Sequence, residues 1–160
     1  MGRPTTDGTV MTLRTGHIGL NVTDLDRSLA FYRDVLGFGV LSEGKEEERR
    51  YAFLGSLAGD GRPVLTLWQQ AREPYDKARA GLHHLSFEVD SVDRVREYET
   101  ALRDYGVDFA YEGVVAHREG SASGGIFFHD PDGTRLEIYA PSGAENAPVP
   151  DAAAPTCGFF

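Results

Sequence analysis

The sequence is poor in several things at once. It has one cysteine, one tryptophan and two methionines among 160 residues, and its 16 basic residues are outnumbered by 25 acidic ones. A single thiol, Cys157, excludes an internal disulfide, and its place in an Ala- and Pro-rich stretch gives it no catalytic setting. A formal net charge of -9 and a pI near 4.9 leave no basic stripe to neutralise phosphates, so a nucleic-acid partner is excluded. The same charge argues against an anionic membrane surface. No apolar run approaches the roughly 20 residues of a membrane span, and the first residues lack a hydrophobic signal core. The expected location is cytoplasmic. What is there, 41% hydrophobic residues, 26% charged, 19 glycines and 8 prolines, fits one ordinary domain or two small halves rich in turns.

After a loose arm over residues 1–13, Ile18, Leu20 and Val22 alternate with Gly19 and Asn21, which is strand periodicity. Thr23 caps a helix in which Leu25, Leu29, Tyr32 and Leu36 recur at helical spacing, and Gly37 stops it. Strands follow at residues 38–43, 51–54 and 63–69. The charge run at residues 44–50 reads as a solvated hairpin loop, and residues 71–80 read as a linker. The pattern then restarts. A strand at residues 81–89 is followed by a helix capped by Asp90 or Ser91, with Val92, Val95, Tyr98, Leu102 and Tyr105 on one face and Gly106 at its end. Further strands are expected at residues 107–111, 126–129 and 134–139, the last following the turn Asp130-Pro131-Asp132. The remainder, residues 142–160, has the composition of a disordered tail.

The restart is an internal repeat. Two βαβββ modules, residues 14–70 and 81–141, make an α+β protein. The expected arrangement is one curved mixed sheet around a central groove, with the helices on the outer faces. His17 and His84 occupy the same position in the first strand of each module, and Thr66 and Glu137 the same position in the last. A carboxylate in mid-strand, on the face opposite Leu136 and Ile138, calls for a partner. With His17 and His84 it forms a two-histidine, one-carboxylate set, which suits a divalent metal with open coordination positions: Fe, Zn, Mn or Ni. His83 shares the face of Leu85 and Phe87 and is expected to be structural.

The repeat, the stretches His17–Gly37 and Gly81–Asp90, and the segment Phe128-His129-Asp130-Pro131-Asp132-Gly133-Thr134-Arg135-Leu136-Glu137 resemble the vicinal oxygen chelate superfamily. That group includes glyoxalase I, fosfomycin and bleomycin resistance proteins, methylmalonyl-CoA epimerase and extradiol dioxygenases. The resemblance implies one divalent metal held by His17, His84 and Glu137, and a small organic substrate with two adjacent oxygens. It leaves two chemistries open, dioxygenase-like and glyoxalase- or isomerase-like. It also leaves an alternative, a bleomycin-resistance-type protein that sequesters a small molecule without catalysis. Glyoxalase I carries a fourth ligand, a glutamate, where this chain has Thr66. The extradiol signature has a tyrosine where this chain has Phe127, and fosfomycin-type enzymes have a threonine where this chain has Gly19.

Weaker catalytic candidates are His117, in a Gly/Ser-rich loop able to close over the groove, and Glu48 in the charge run. Thr66, Trp68, Phe127, Phe128 and Tyr139 are expected to shape the substrate pocket. Relatives that pair their modules across subunits make a homodimer the expected assembly.

Overall fold

The structure, a computed structural model, describes residues 13–158 and residue 160. All but the last residue of the expected N-terminal arm lies outside the described residues. The first module begins with β1 (Ile18–Val22) and α1 (Leu25–Leu29). Asp24, in extended conformation, caps α1 by accepting a hydrogen bond from the Arg27 amide, as a short acidic side chain does at a helix start. Thr23 is therefore not the cap. The same coil then widens into a π-helix over Ala30–Val35, and the Leu36 amide reaches back to the Phe31 carbonyl at 3.1 Å. Gly37, at φ +82°, ends it in a backbone region costly for other residues. Strands β2 (Gly39–Glu46), β3 (Arg49–Gly55) and β4 (Pro63–Gln69) follow. The charge run is thus mostly hairpin strand, turning at Glu47 with φ +55°.

The second module repeats the plan: β5 (Leu85–Glu88), α2 (Val92–Tyr105), β6 (Val115–Ala116), β7 (Gly124–His129) and β8 (Arg135–Ala140). Ser91 caps α2, and Gly106 closes it at φ +86°. The strand expected at residues 107–111 is reduced to one bridge between Phe109 and Phe128, and the true edge strand β6 comes later. Each module forms a four-stranded mixed sheet, in the orders β1-β4-β3-β2 and β5-β8-β7-β6. First and last strands of each module run parallel, and the other neighbours are antiparallel. This is the expected α+β architecture of two βαβββ units.

Among the described residues no strand of one sheet pairs with the other, and the helices do not lie outside. Leu65 and Leu67 of the first sheet and Leu136 and Ile138 of the second belong to one core, together with Leu25, Leu29 and Phe31 of the first helical segment and Val95 and Leu102 of α2. The reason is that the first helical segment is apolar on two sides. Leu25 and Leu29 serve its own sheet, while Phe31 packs against Phe128 at 6.3 Å and Tyr105 at 6.2 Å in the other module. Burying both sides is worth more than leaving one in water.

The turn before β8 locks the modules together. Tyr32 donates to Asp130 Oδ2 at 2.7 Å. Asp130 Oδ1 accepts from the amides of Asp132 and Thr134, each at 2.9 Å. Asp132 accepts from the Thr23 amide at 3.0 Å, from the Thr23 hydroxyl and from Arg27 at 2.8 Å.

Nor are residues 142–158 a disordered tail. The Ala116 amide donates to the Pro148 carbonyl, and the Thr156 amide to the His117 carbonyl, each at 3.0 Å. The Thr156 hydroxyl, buried, donates to the Ala116 carbonyl at 2.6 Å. These contacts are mostly backbone-directed, so a composition without apolar periodicity gives no sign of them.

Candidate metal centre

Because the inner faces of both sheets share one core, alternate residues of each strand point outward on opposite sides of the molecule. The two ladders have the same register. Gly19 of β1 stands beside Thr66 of β4, and Ser86 of β5 beside Glu137 of β8. Thr66 is thus the structural counterpart of Glu137, and His17 and His84, each two residues earlier, are counterparts as well.

On the outer face of the second sheet, Glu137 is only 3% exposed. Its two oxygens meet two imidazoles. His84 Nε2 lies 3.6 Å from Oε2, and His117 Nε2 contacts Oε1 closely. The His84 ring is oriented from behind by His83, their Nδ1 atoms 2.8 Å apart, so one of them carries its proton there. Burial holds the His84 imidazole below the ordinary histidine range, the Glu137 charge opposes this, and the charges of His83, Arg135 and His117 add to it. His117 is placed by Ser123, whose hydroxyl lies 2.7 Å from Nδ1, and Ser121 supports Ser123 at 2.9 Å. A cavity of about 540 Å³ opens here, lined among others by His84, His117, Glu137, Pro155 and Cys157. Burial, and secondarily the charge of Glu137, push the Cys157 thiol up. A somewhat larger cavity, about 590 Å³, lies along Phe38, Leu57, Val64, Phe87 and Tyr98. Its lining is mainly apolar, with Glu88 and Tyr98 as its titratable groups, whereas the former gathers two imidazoles and a carboxylate.

The remaining candidates divide by sheet. His17 is exposed at the start of β1 in the other module, away from Glu137. Among the described residues no three His, Cys, Asp or Glu side chains are arranged to hold an ion within the one chain. Thr66 is buried under Trp68, whose indole nitrogen donates to its hydroxyl at 2.9 Å. Trp68, 38% exposed, forms an aromatic patch with Tyr51 and Phe53 at 5.3 and 5.8 Å on the outer face of the first sheet. Phe127 lies on the Glu137 face, paired across from it. Tyr139 is there too, its ring 5.2 Å from His117 and its hydroxyl donating to Glu88. Phe128 is not a pocket residue. One position along a strand reverses the face, and its side chain is fully buried in the core. Glu48 is exposed at the β2–β3 turn of the first sheet, with no contact to the second sheet's histidines. Sequence reasoning missed His83 as the support of His84, and missed Ser123 and residues 155–157. A polar loop and an Ala/Pro-rich segment carry no spacing signal for such roles.

The profile of the Glyoxalase/Bleomycin resistance protein/Dioxygenase superfamily matches residues 14–138. The chain belongs to this superfamily. It is 34% identical to a lactoylglutathione lyase of Haemophilus influenzae, over 76% of this chain and 88% of that one. It is 27% identical to a catechol-2,3-dioxygenase of Bacillus subtilis, over 78% of this chain but only 40% of that one. Among solved structures, a glyoxylase/bleomycin resistance protein/dioxygenase domain from a Frankia species superposes with a TM-score of 0.69 at 25% identity, covering 82% of this chain and 99% of that one. As a superfamily member the chain has enzyme-like relatives of the lyase and dioxygenase types.

Proposed function

We propose that the protein is a divalent-metal enzyme of the isomerase or lyase type, acting on a small organic substrate with two adjacent oxygens. We also propose that its metal centre is completed between two copies of the chain. One observation carries this reading. A buried carboxylate and an imidazole converge on the outer face of the second sheet, while His17, the proposed third donor, stands at the equivalent place on the other sheet, whose outer face looks the opposite way. The donor chemistry fits a divalent cation: carboxylate and imidazole donors, and a ring held from behind by His83. His84 and Glu137 of one copy and His17 of a second would hold it. When bound, such an ion polarises the adjacent oxygens of a substrate.

The lyase side is favoured over the dioxygenase side by the extent of the relatives. The match to the lactoylglutathione lyase spans most of that protein, while the match to the catechol dioxygenase spans less than half of it. The site nonetheless departs from the glyoxalase I resemblance at Thr66. Its hydroxyl accepts from the Trp68 indole, and a threonine hydroxyl is a poor metal ligand and no general base. The proton-handling group within reach of Glu137 is His117, whose other nitrogen is held by Ser123. A homodimer that faces the first sheet of one copy with the second sheet of another would also cover the aromatic patch of Tyr51, Phe53 and Trp68.

The test is calorimetric titration of protein purified without a histidine tag with Mn, Ni, Zn and Fe(II). Glu137→Gln and His84→Ala should weaken binding by more than the roughly 10- to 100-fold cost of losing a supporting residue. Equal affinities for the wild type and both variants would sink the metal reading. Turnover of S-lactoylglutathione, set against cleavage of catechol, then separates lyase from dioxygenase chemistry.

A further inference from the structure

The outer face of the second sheet is covered, and the cover comes from the same chain. Phe127 and Phe53 are register counterparts: Phe127 pairs with Glu137 in the second sheet, and Phe53 with Thr66 in the first. Both point away from the core. Phe53 is only half-buried, as a residue on an open face should be. Phe127 is 0% exposed. Tyr111 and His117 pack on it at 5.5 and 6.2 Å, and residues 155–158 and 160 complete the cover. The Phe160 ring sits 5.0 Å from Phe127, 6.2 Å from Tyr111 and 6.0 Å from His84, and the Arg135 guanidinium lies 5.2 Å from its centroid. Thr156 pins the segment to Ala116 and His117 through its amide and its hydroxyl, and Tyr111 donates to the Thr156 carbonyl at 3.0 Å. Pro155 and Cys157 wall the cavity that holds His84, His117 and Glu137.

We infer that residues 155–158 and 160 form a built-in strap over the candidate metal face, a self-inhibitory contact that must lift before a second copy's first sheet can dock there. The occupant it keeps out is argued from the molecule itself. The first sheet's outer face carries the aromatic patch of Tyr51, Phe53 and Trp68, and Phe160 supplies to Phe127 the kind of aromatic contact that patch would supply. The anchoring is suited to release. Among the described residues of the segment only Thr156 is buried, Phe160 is half-buried, and the remaining contacts are ring edges and one cation over a ring. Strap and partner therefore compete for one surface, and binding by the open form is weakened by the fraction of time the strap is closed.

The inference rests on the composite-site reading for its consequence, but not for its first measurement. Carbethoxylation of His84 by diethyl pyrocarbonate, followed by mass spectrometry, is compared in the full chain, in a form lacking residues 155–160 and in Phe160→Ala. The exposed His17 serves as the internal reference, and circular dichroism checks folding. The expected result is an increase of about tenfold in the His84 rate on deletion, as for a strap open about one-tenth of the time, with a smaller increase for Phe160→Ala. Mn affinity and dimer affinity should rise with it. A folded deletion variant whose His84 reacts no faster than in the full chain overturns the strap. If the His84 rate rises while no form binds Mn, the strap stands and the metal reading falls. Should the deletion variant not fold, Phe160→Ala decides alone: an unchanged His84 rate in a folded Phe160→Ala protein also overturns it.

Discussion

At the residue scale, Asp130 shows how a side chain named for one job does another. In the sequence it belongs to a turn. In the structure it is buried, accepts from two amides, and takes the hydroxyl of Tyr32 from the other module. Burial pushes its carboxyl above the ordinary range, and the bonds from Tyr32, Thr134 and Asp132 hold it back. A carboxyl with a raised native pKa binds its proton more tightly when folded. Its contribution to stability is therefore full below the unfolded value near 4 and is lost as pH rises through the native value. Urea melts at a series of pH values should show wild type losing stability relative to Asp130→Asn on raising the pH above about 4. A constant difference between the two proteins would contradict this. Tyr32→Phe removes the donor and leaves a buried carboxylate oxygen unpaired, so it should cost about 1–3 kcal/mol by the same melts. A neutral result would mean that the bond adds nothing to the joining of the modules.

At the element scale, α2 is the most regular unit, bounded by the Ser91 cap and by Gly106 in the left-handed region. Gly106→Ala should destabilise by about 1–2 kcal/mol, measurable as a lower thermal midpoint, while Ala101, inside the helix, already has the favoured residue. The strands that alternate, β1, β4 and β8, are legible in the sequence because one face of each is aliphatic. So is the pairing of His17 with His84 and of Thr66 with Glu137, since a repeat fixes equivalence without coordinates. Three things were not legible. The helix of the first module hid a π-helical segment, because Phe31 and Tyr32 meet the other module rather than its own sheet. The placement of the helices between the sheets depends on that second apolar side, which a pattern read for one face does not reveal. Phe128 faces the core although its neighbour Phe127 does not, since only strand register separates two adjacent aromatics.

At the scale of the whole molecule, one chain carries the proposed donors on two faces that look away from each other. His84 and Glu137 stand on the second sheet, and His17 on the first. Two copies are then needed to complete one centre, and complementation between variants probes that need. His17→Ala protein is mixed with His84→Ala/Glu137→Gln protein, exchanged through mild denaturant, and titrated with Mn. Each variant alone lacks an essential donor at every site. A mixed dimer, in contrast, has one site that takes all its donors from unmutated positions. Neither variant should bind Mn at the wild-type affinity, and the mixture should regain wild-type affinity at one site per mixed dimer. His17→Ala protein binding Mn as tightly as wild type, or a mixture that regains nothing, would contradict it.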